Sequence, residues 1–354
     1  MFDIPTEPIG SIPRPLRLIE AVAASSPSNP ELNALYDDAV RDTITEFEAT
    51  GSPIITDGEQ RKHHNFWTYC VEHLPNTAPD GFQIPFSAGH VRRMRRLTSG
   101  PFRYHTPADS YLDLALKYAH RPVKQAVISP SALSLMYPVE PIPGYSRERF
   151  LDDLLHEHER EVRSCLQKGA WKVQIDFTEA RLAVKIDPSG ELLHRFIDLN
   201  NLALARFSAS ERMRIGVHTC AGSDRDSTHS GEVDYAALLP SLFELNANSF
   251  YVALAGEPDR VRVLKMIRDH LKPHQKVFVG VINPIEPRIE TAEDVRDRVL
   301  EAANYIPLGQ LGTCDDCGFS PFCDDTSTSR VTAFAKIRAR VEGTQLAAER
   351  LGDR

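Results

Sequence analysis

The chain has 354 residues, 42% of them hydrophobic and 25% charged, which is ordinary for a globular protein. A formal net charge of −8 leaves no basic footprint for nucleic acid, and no apolar run approaches the roughly 18 residues of a membrane span. Six cysteines are too sparse for a disulfide scaffold, and the opening MFDIPTEPIG lacks a secretory signal, so the sequence reads as a reduced, cytoplasmic protein.

Short β-branched runs alternate with long amphipathic segments. In chain order the runs are PIGSI (8–12), PIITD (53–57), VKQAVIS (123–129), WKVQID (171–176), RIGVH (214–218), SFYVAL (249–254), VFVGVI (277–282) and GQLGT (309–313). Most are continuously apolar, as parallel strands covered on both faces are. Between them, Asn29-Pro30 signals a helix start, Leu32, Tyr36, Val40, Ile44 and Phe47 keep one face apolar, and Gly51 closes the helix. Ser146 opens a second helix that Gly169 stops; Glu257-Pro258 opens a third that Pro273 stops. Thr291 with Asp294 resembles a capping box, and a last helix spans about Ser329 to Leu351.

Eight β-then-α units predict an α/β protein, a (β/α)8 TIM barrel forming a single domain over 1–354, in preference to a doubly wound open sheet. No G-x-G-x-x-G follows the first run and no P-loop motif occurs, so nucleotide sites are unsupported. Residues 61–106, rich in Arg, His and aromatics, are too long for an ordinary connection. They read as an insertion between strands two and three at the top of the barrel, forming a substrate wall or the contact of a homodimer.

Chemistry in such a barrel sits at the C-terminal ends of the strands. Those ends carry Ser11, Asp57-Gly58-Glu59, Ser129, Asp176, His218 with Cys220, Asn283 with Glu286, and CDDCG (314–318). Residues i and i+2 of a strand project to one face, so the imidazole of His218 and the thiol of Cys220 leave the sheet together. Taken alone, that pair fits two metal ligands, a Cys/His nucleophile or an accident. A C-x-x-C at a separate strand end shifts the balance to zinc on His218, Cys220 and Cys317, with one position open for substrate. Cys314 is expected not to be a ligand, since a fourth protein donor would close the site. Cys70 and Cys165 read as small buried hydrophobes, and His63, His64 and His229 as solvated loop residues.

In order, these residues resemble the catalytic C-terminal domain of cobalamin-independent methionine synthase over most of the chain. IGSIPRP is similar to that family's IGSFP, DGEQRKHHNFW to HGEPERNDMV, VQIDFTEARL to IQIDEPAL, HTC to its H-x-C zinc pair and DDCGF to DCGL. The resemblance implies a TIM barrel, Zn2+ on His218, Cys220 and Cys317, and substrate binding by Ser11, Glu59 and Asp176, the carboxylates holding the substrate ammonium. It implies a methyltransferase moving a methyl or other alkyl group from a donor to a small thiol such as homocysteine.

The sequence departs from the family at three places. Ala253 stands where the family has a glutamate ligand, with Glu257 four residues on; after strand seven, Asn283 and Glu286 stand in place of the family's catalytic histidine; and the folate-stacking tryptophan is replaced by Met136 or Tyr137. The donor, and the thiol, are therefore open: a coenzyme-M-type acceptor with a non-folate donor is one alternative. A metal-free barrel like the uroporphyrinogen decarboxylases is another, with an acidic-substrate pocket lined by Arg92, Arg93, Arg95 and Arg96. A third is a structural zinc site in a binding protein.

Overall fold

The computed structural model describes residues 3–24, 30–62, 65–87, 89, 91–224 and 227–352; Asn29, His63 and His64 lie outside the described residues. Six parallel strands form the central sheet: β1 (Lys124–Ile128), β2 (Lys172–Asp176), β3 (Ile215–His218), β4 (Ser249–Val252), β5 (Lys276–Ile282) and β6 (Leu311–Asp315). They lie side by side in chain order. Apart from Lys276 every residue in them is buried, which explains why they are apolar without alternation.

The first two predicted runs do not form regular strands. The first makes no bridge itself, the parallel bridge of Thr6 to Thr313 beside β6 falling just before it, and the second makes one, Ile55 to Val123 beside β1. These two edge segments also bond to each other: Ile12 N donates to Gly58 O at 3.0 Å, and Thr56 Oγ1 donates to Gly10 O at 2.8 Å. Pro5, Pro8 and Pro13 remove ladder donors from the first segment, so only isolated bonds survive there. The eighth run is shifted two residues later than predicted, because Leu308–Gln310 winds into a 3-10 turn after Pro307.

Helices pack around the sheet largely where the caps predict. Ser146 Oγ accepts from Arg149 N at the start of Arg147–Lys168, and Gly169 ends that helix at φ 109. Thr291 and Asp294 form the reciprocal capping box of Ala292–Ala302. The helix after Glu257-Pro258 starts later, at Arg260, because Asp259 has the short carboxylate that reaches Arg262 N.

Against the central sheet, Glu7 is buried with Lys172 Nζ 2.6 Å and Lys124 Nζ 3.7 Å away and the Tyr251 hydroxyl donating to it. Burial opposes ionisation of Glu7, but the two ammonium groups outweigh it and hold its carboxyl below the usual range. The described residues of the 61–106 segment lie over one end of the sheet, with two short antiparallel pairs, Gln83–Pro85 with Val91–Arg93 and Thr77–Ala78 with Arg96–Leu97. Among the described residues no helix is long and apolar enough to cross a membrane.

Candidate active site

Register brings the site together. Ile128 is paired with Asp176, and Asp176 with His218, so the last residues of β1, β2 and β3 stand in one row. Beyond that row lies a cavity partly open to solvent. Ser11, Glu59, Asp176, His218, Cys220 and Cys317 all line it. Phe66, Trp67 and Phe86 from the 61–106 segment, with Phe322, give it an aromatic wall.

His218 Nδ1 lies 3.1 Å from Asp176 Oδ1, which also accepts from Gln174 Nε2 at 2.8 Å. A proton on Nδ1 satisfies that contact and leaves Nε2 as the lone-pair nitrogen. Nε2 is buried and has no hydrogen-bond partner among the described residues. A carboxylate fixing one ring nitrogen while the other is left bare is the arrangement of a metal-ligating histidine.

Cys220 Sγ and Cys317 Sγ are 3.7 Å apart. The Cys317 contact pulls the Cys220 thiol well below its ordinary range, against burial, with further help from His229 and His218. His229 hydrogen-bonds the Cys220 side chain and lines the same cavity, while its Nδ1 contacts Ser230 Oγ at 2.9 Å. It is therefore not the solvated loop residue the sequence suggests: the loop from Gly222 folds back, with Ser230 N bonded to Gly222 O at 2.9 Å.

Glu59 reaches the cavity through an unusual backbone. Gly58 and Glu59 both have positive φ, 67° and 58°, and a Cβ on Gly58 would stand 2.6 Å from Thr43 Cγ2. Arg14, itself buried, clamps this turn through Glu59 O at 2.8 Å, Gln60 O at 3.2 Å and Lys62 O at 2.8 Å. Lys62 Nζ sits 3.3 Å from Glu59 Oε2 and 4.7 Å from the Tyr69 ring centroid. Burial opposes the Lys62 charge, but Glu59, Asp176 and Asp57 outweigh it and hold the ammonium above the ordinary lysine range. Burial, in turn, raises Glu59 and Asp57. The positive partner that the buried carboxylates require is thus supplied in part by the chain itself.

Ser11 ties the first segment to the Cys317 loop: Ser11 Oγ accepts from Ser320 N at 3.2 Å, and Ser11 O accepts from Phe319 N at 3.0 Å. Gly318 permits this approach, since a Cβ there would fall 2.1 Å from Ser11 Oγ.

Other sequence candidates are not brought to this cavity. Asn283 lines a separate cavity with Glu257 and Asp316, and Glu286 is an exposed loop residue whose Oε1 accepts from Arg288 N at 3.3 Å. Ala253 is fully buried, and Glu257 pairs with Arg181 Nη1 at 2.9 Å. It cannot curl back to the thiols, because Asp316 pins the chain after β4 by accepting from the amides of Leu254, Ala255 and Gly256 at 2.7–2.9 Å. Met136 and Tyr137 pack in the core, so the aromatic surface of the cavity comes from elsewhere. Of the four arginines, Arg92 alone is among the residues lining the cavity, and it pairs with Asp324 at 3.1 Å; Arg95 pairs with Glu72 and Arg96 with Asp80, and Arg93 is exposed. Among the described residues, then, these four arginines do not together line the cavity. Cys314 faces the strand interior, donating to Phe278 O at 3.2 Å, and Cys70 and Cys165 are core residues.

Sequence reasoning missed Lys62, Trp67, Glu179 and His229, all within reach of the site. Only Trp67 and Lys62 carried a signal, through their place in the unusual 61–106 segment.

The donor set fits zinc by its chemistry. Two sulfurs each about 2.3 Å from a tetrahedral zinc stand roughly 3.8 Å apart, and the Cys220–Cys317 separation is 3.7 Å. The bare imidazole nitrogen of His218, lining the same cavity, is of the donor type that would complete a set of three. Among the described residues no group of three or more His, Cys, Asp or Glu side chains is gathered closely enough to hold a metal ion.

No family model matches the chain. It is 23% identical to a "Methionine synthase" of Sulfurisphaera tokodaii over 98% of this chain and 94% of that one. It is 22% identical to the "Uncharacterized protein YxjG" of Bacillus subtilis over 90% of this chain and 87% of that one. Its fold is similar to a B12-independent methionine synthase from Shewanella sp. W3-18-1, solved with selenomethionine, at a TM-score of 0.77 and 20% identity over the whole of both chains.

Proposed function

We propose that this chain, which belongs at low identity with the proteins built like the catalytic C-terminal domain of cobalamin-independent methionine synthase, is a methyltransferase that methylates a small thiol of the homocysteine type. The observation that carries the reading is the Cys220–Cys317 pair, 3.7 Å apart beside the bare Nε2 of His218, in a cavity that also holds Glu59 and Asp176. Methionine synthases among the relatives, and a relative solved with selenomethionine, support a sulfur substrate of that kind.

In this reading the sheet closes as a (β/α)8 barrel, the bridges at Thr6 and Ile55 and the bonds between their segments joining β6 to β1. Closure accounts for Ser11, from the first segment, meeting Cys317, from the last strand end. His218, Cys220 and Cys317 would hold zinc; Ala253 offers no further ligand, so a position stays open. When bound, the metal supplies Lewis acidity that favours the thiolate form of a substrate thiol near neutral pH.

The chain's own residues do the rest. Asp57, Glu59 and Asp176 outnumber Lys62 among the charged groups at this wall, so a substrate ammonium beside Glu59 and Asp176 balances charge that burial would otherwise make costly. Asp176 also orients His218. The aromatic wall shields one side of the cavity from water. The test is direct: purified protein is assayed for zinc and for S-methylation of homocysteine by mass spectrometry. Absence of methylated thiol with both an N-methyl and a sulfonium donor, in zinc-loaded protein, overturns the reading.

A further inference from the structure

Methyl transfer to a thiol leaves a second problem, which is the fate of the departing group. Attack by the thiolate forms the S–CH3 bond and breaks the bond between the methyl carbon and the donor atom, whose electron pair stays on the donor. A sulfonium donor leaves as a neutral thioether. A tertiary amine leaves as an amide-type anion unless a proton reaches the nitrogen as the bond breaks, so it needs a general acid. Asn283 and Glu286, after β5, do not reach the cavity.

Glu179 does. It lies three residues beyond the end of β2, is 5% exposed and lines the cavity. Its surroundings set its two oxygens apart. Ser129 Oγ, at the end of β1, donates to Oε1 at 2.7 Å, and Ser131 Oγ donates to the same oxygen. Both serines are held in that role: Ser129 Oγ accepts from Ala132 N at 3.1 Å, and Ser131 Oγ accepts from Asn200 Nδ2 at 2.8 Å. Oε1 is therefore saturated with donors. Oε2 is buried and has no hydrogen-bond partner among the described residues. An acid arranged this way carries its proton on Oε2, the oxygen without a protein partner.

Resting on the reading of this site as a thiol methyltransferase, we propose that Glu179 is the general acid that protonates the leaving nitrogen of an N-methyl donor through Oε2. The proton goes from Oε2 to the departing nitrogen, and Glu179 then regains one from solvent, replacing that given up by the thiol. The electrostatics agree. Burial pushes the Glu179 carboxyl up to about 7, the serine hydrogen bonds oppose this, and Asp176 adds to it. The groups facing it from β1 and the flanking helices, Ser129, Ser131 and Asn200, are uncharged, so Asp176 is the charged neighbour that matters. An acid poised near the working pH is what proton donation requires.

The experiment compares Glu179→Gln with wild type on two donors, 5-methyltetrahydrofolate and a trialkylsulfonium, with homocysteine as acceptor. General-acid help is typically about 10²–10⁴ in rate. The expected result is a loss of that order in kcat with the N-methyl donor, little change with the sulfonium, and unchanged zinc content and homocysteine affinity. Equal losses on both donors, or no loss on the first, overturn the assignment. If wild type methylates homocysteine with neither donor, the underlying reading falls and the assignment with it. A second variant guards against misfolding: Ser131→Ala removes one donor from Oε1, so the pH at which kcat with the N-methyl donor falls off should move upward. A profile that stays in place or moves down also overturns the assignment.

Discussion

Cys220 and Cys317 lie 97 residues apart in the chain, yet their sulfurs stand 3.7 Å apart at the mouth of one cavity. Nothing local to either cysteine creates that distance. It follows from β3 and β6 running parallel in one sheet, so that both chains leave it at the same side, and from Ser11 drawing in the loop after Cys317. A pair of thiols at this spacing, with one held well below its ordinary range, is what a soft metal needs.

The first prediction concerns that pair. Wild-type protein should bind about one zinc per chain. Cys220→Ser or Cys317→Ser should lose it, whereas Cys314→Ser and Cys70→Ser should keep it, because Cys314 is tied to Phe278 O and Cys70 is in the core. Elemental analysis of the four variants decides the matter, and full retention in Cys317→Ser would contradict the assignment.

Glu59 and Asp176 should part company under substitution. Glu59→Gln touches the ammonium subsite and the ion pair with Lys62, so homocysteine KM should rise while zinc stays. Asp176→Asn also loosens the His218 ring, and loss of such an outer-shell carboxylate costs about 10–100-fold in metal affinity. Metal titrations of the two variants should differ accordingly; identical zinc affinities would show that Asp176 does not position His218.

Gly318→Ala tests the approach of the last loop to the first segment. The added Cβ would stand 2.1 Å from Ser11 Oγ, too close to be accommodated without moving the loop. Zinc affinity should fall although all three donors are still present. Calorimetric zinc binding equal to wild type would mean that the loop shifts without displacing Cys317.

Stability should carry a signature of Glu161, a buried carboxyl that accepts from Tyr69 and from Ala108 N and that burial pushes up to about 7. Folded protein keeps this proton through a range in which the unfolded chain, titrating near about 4.3, has released it. The folded state therefore binds more protons in that window, and the contribution of Glu161 to stability falls as pH rises from about 4.3 to about 7. His158, which burial pulls down to about 3, acts in the opposite direction. The quantity to measure is thus the difference in urea midpoint between wild type and Glu161→Gln. The wild-type advantage should shrink across that window; an advantage that stays constant with pH would show that Glu161 is already ionised in the folded state.

The sequence by itself determined the six strands and the identity of most residues at their ends. Continuous apolar runs bounded by cap residues are short-range signals, and an i, i+2 pair such as His218 and Cys220 needs only the pleat of one strand to share a face. Ser146, Gly169 and Thr291 act as caps within a few residues of themselves, so they too were legible. Tertiary structure alone decided the rest, because it depended on distances between segments remote in the chain. The first two runs looked like strands, but the prolines around the first reduced it to isolated bonds, and Ile55 contributes one bridge. Lys62 became the counter-ion of Glu59 only through two successive left-handed residues clamped by Arg14. His229 met Cys220 because its loop folds back on Gly222, and Asn283 came to line a separate cavity with Glu257 and Asp316. Burial and hydrogen-bond partners, which no residue carries in its own identity, are what make Glu179 a candidate acid and leave Glu286 an ordinary surface carboxylate.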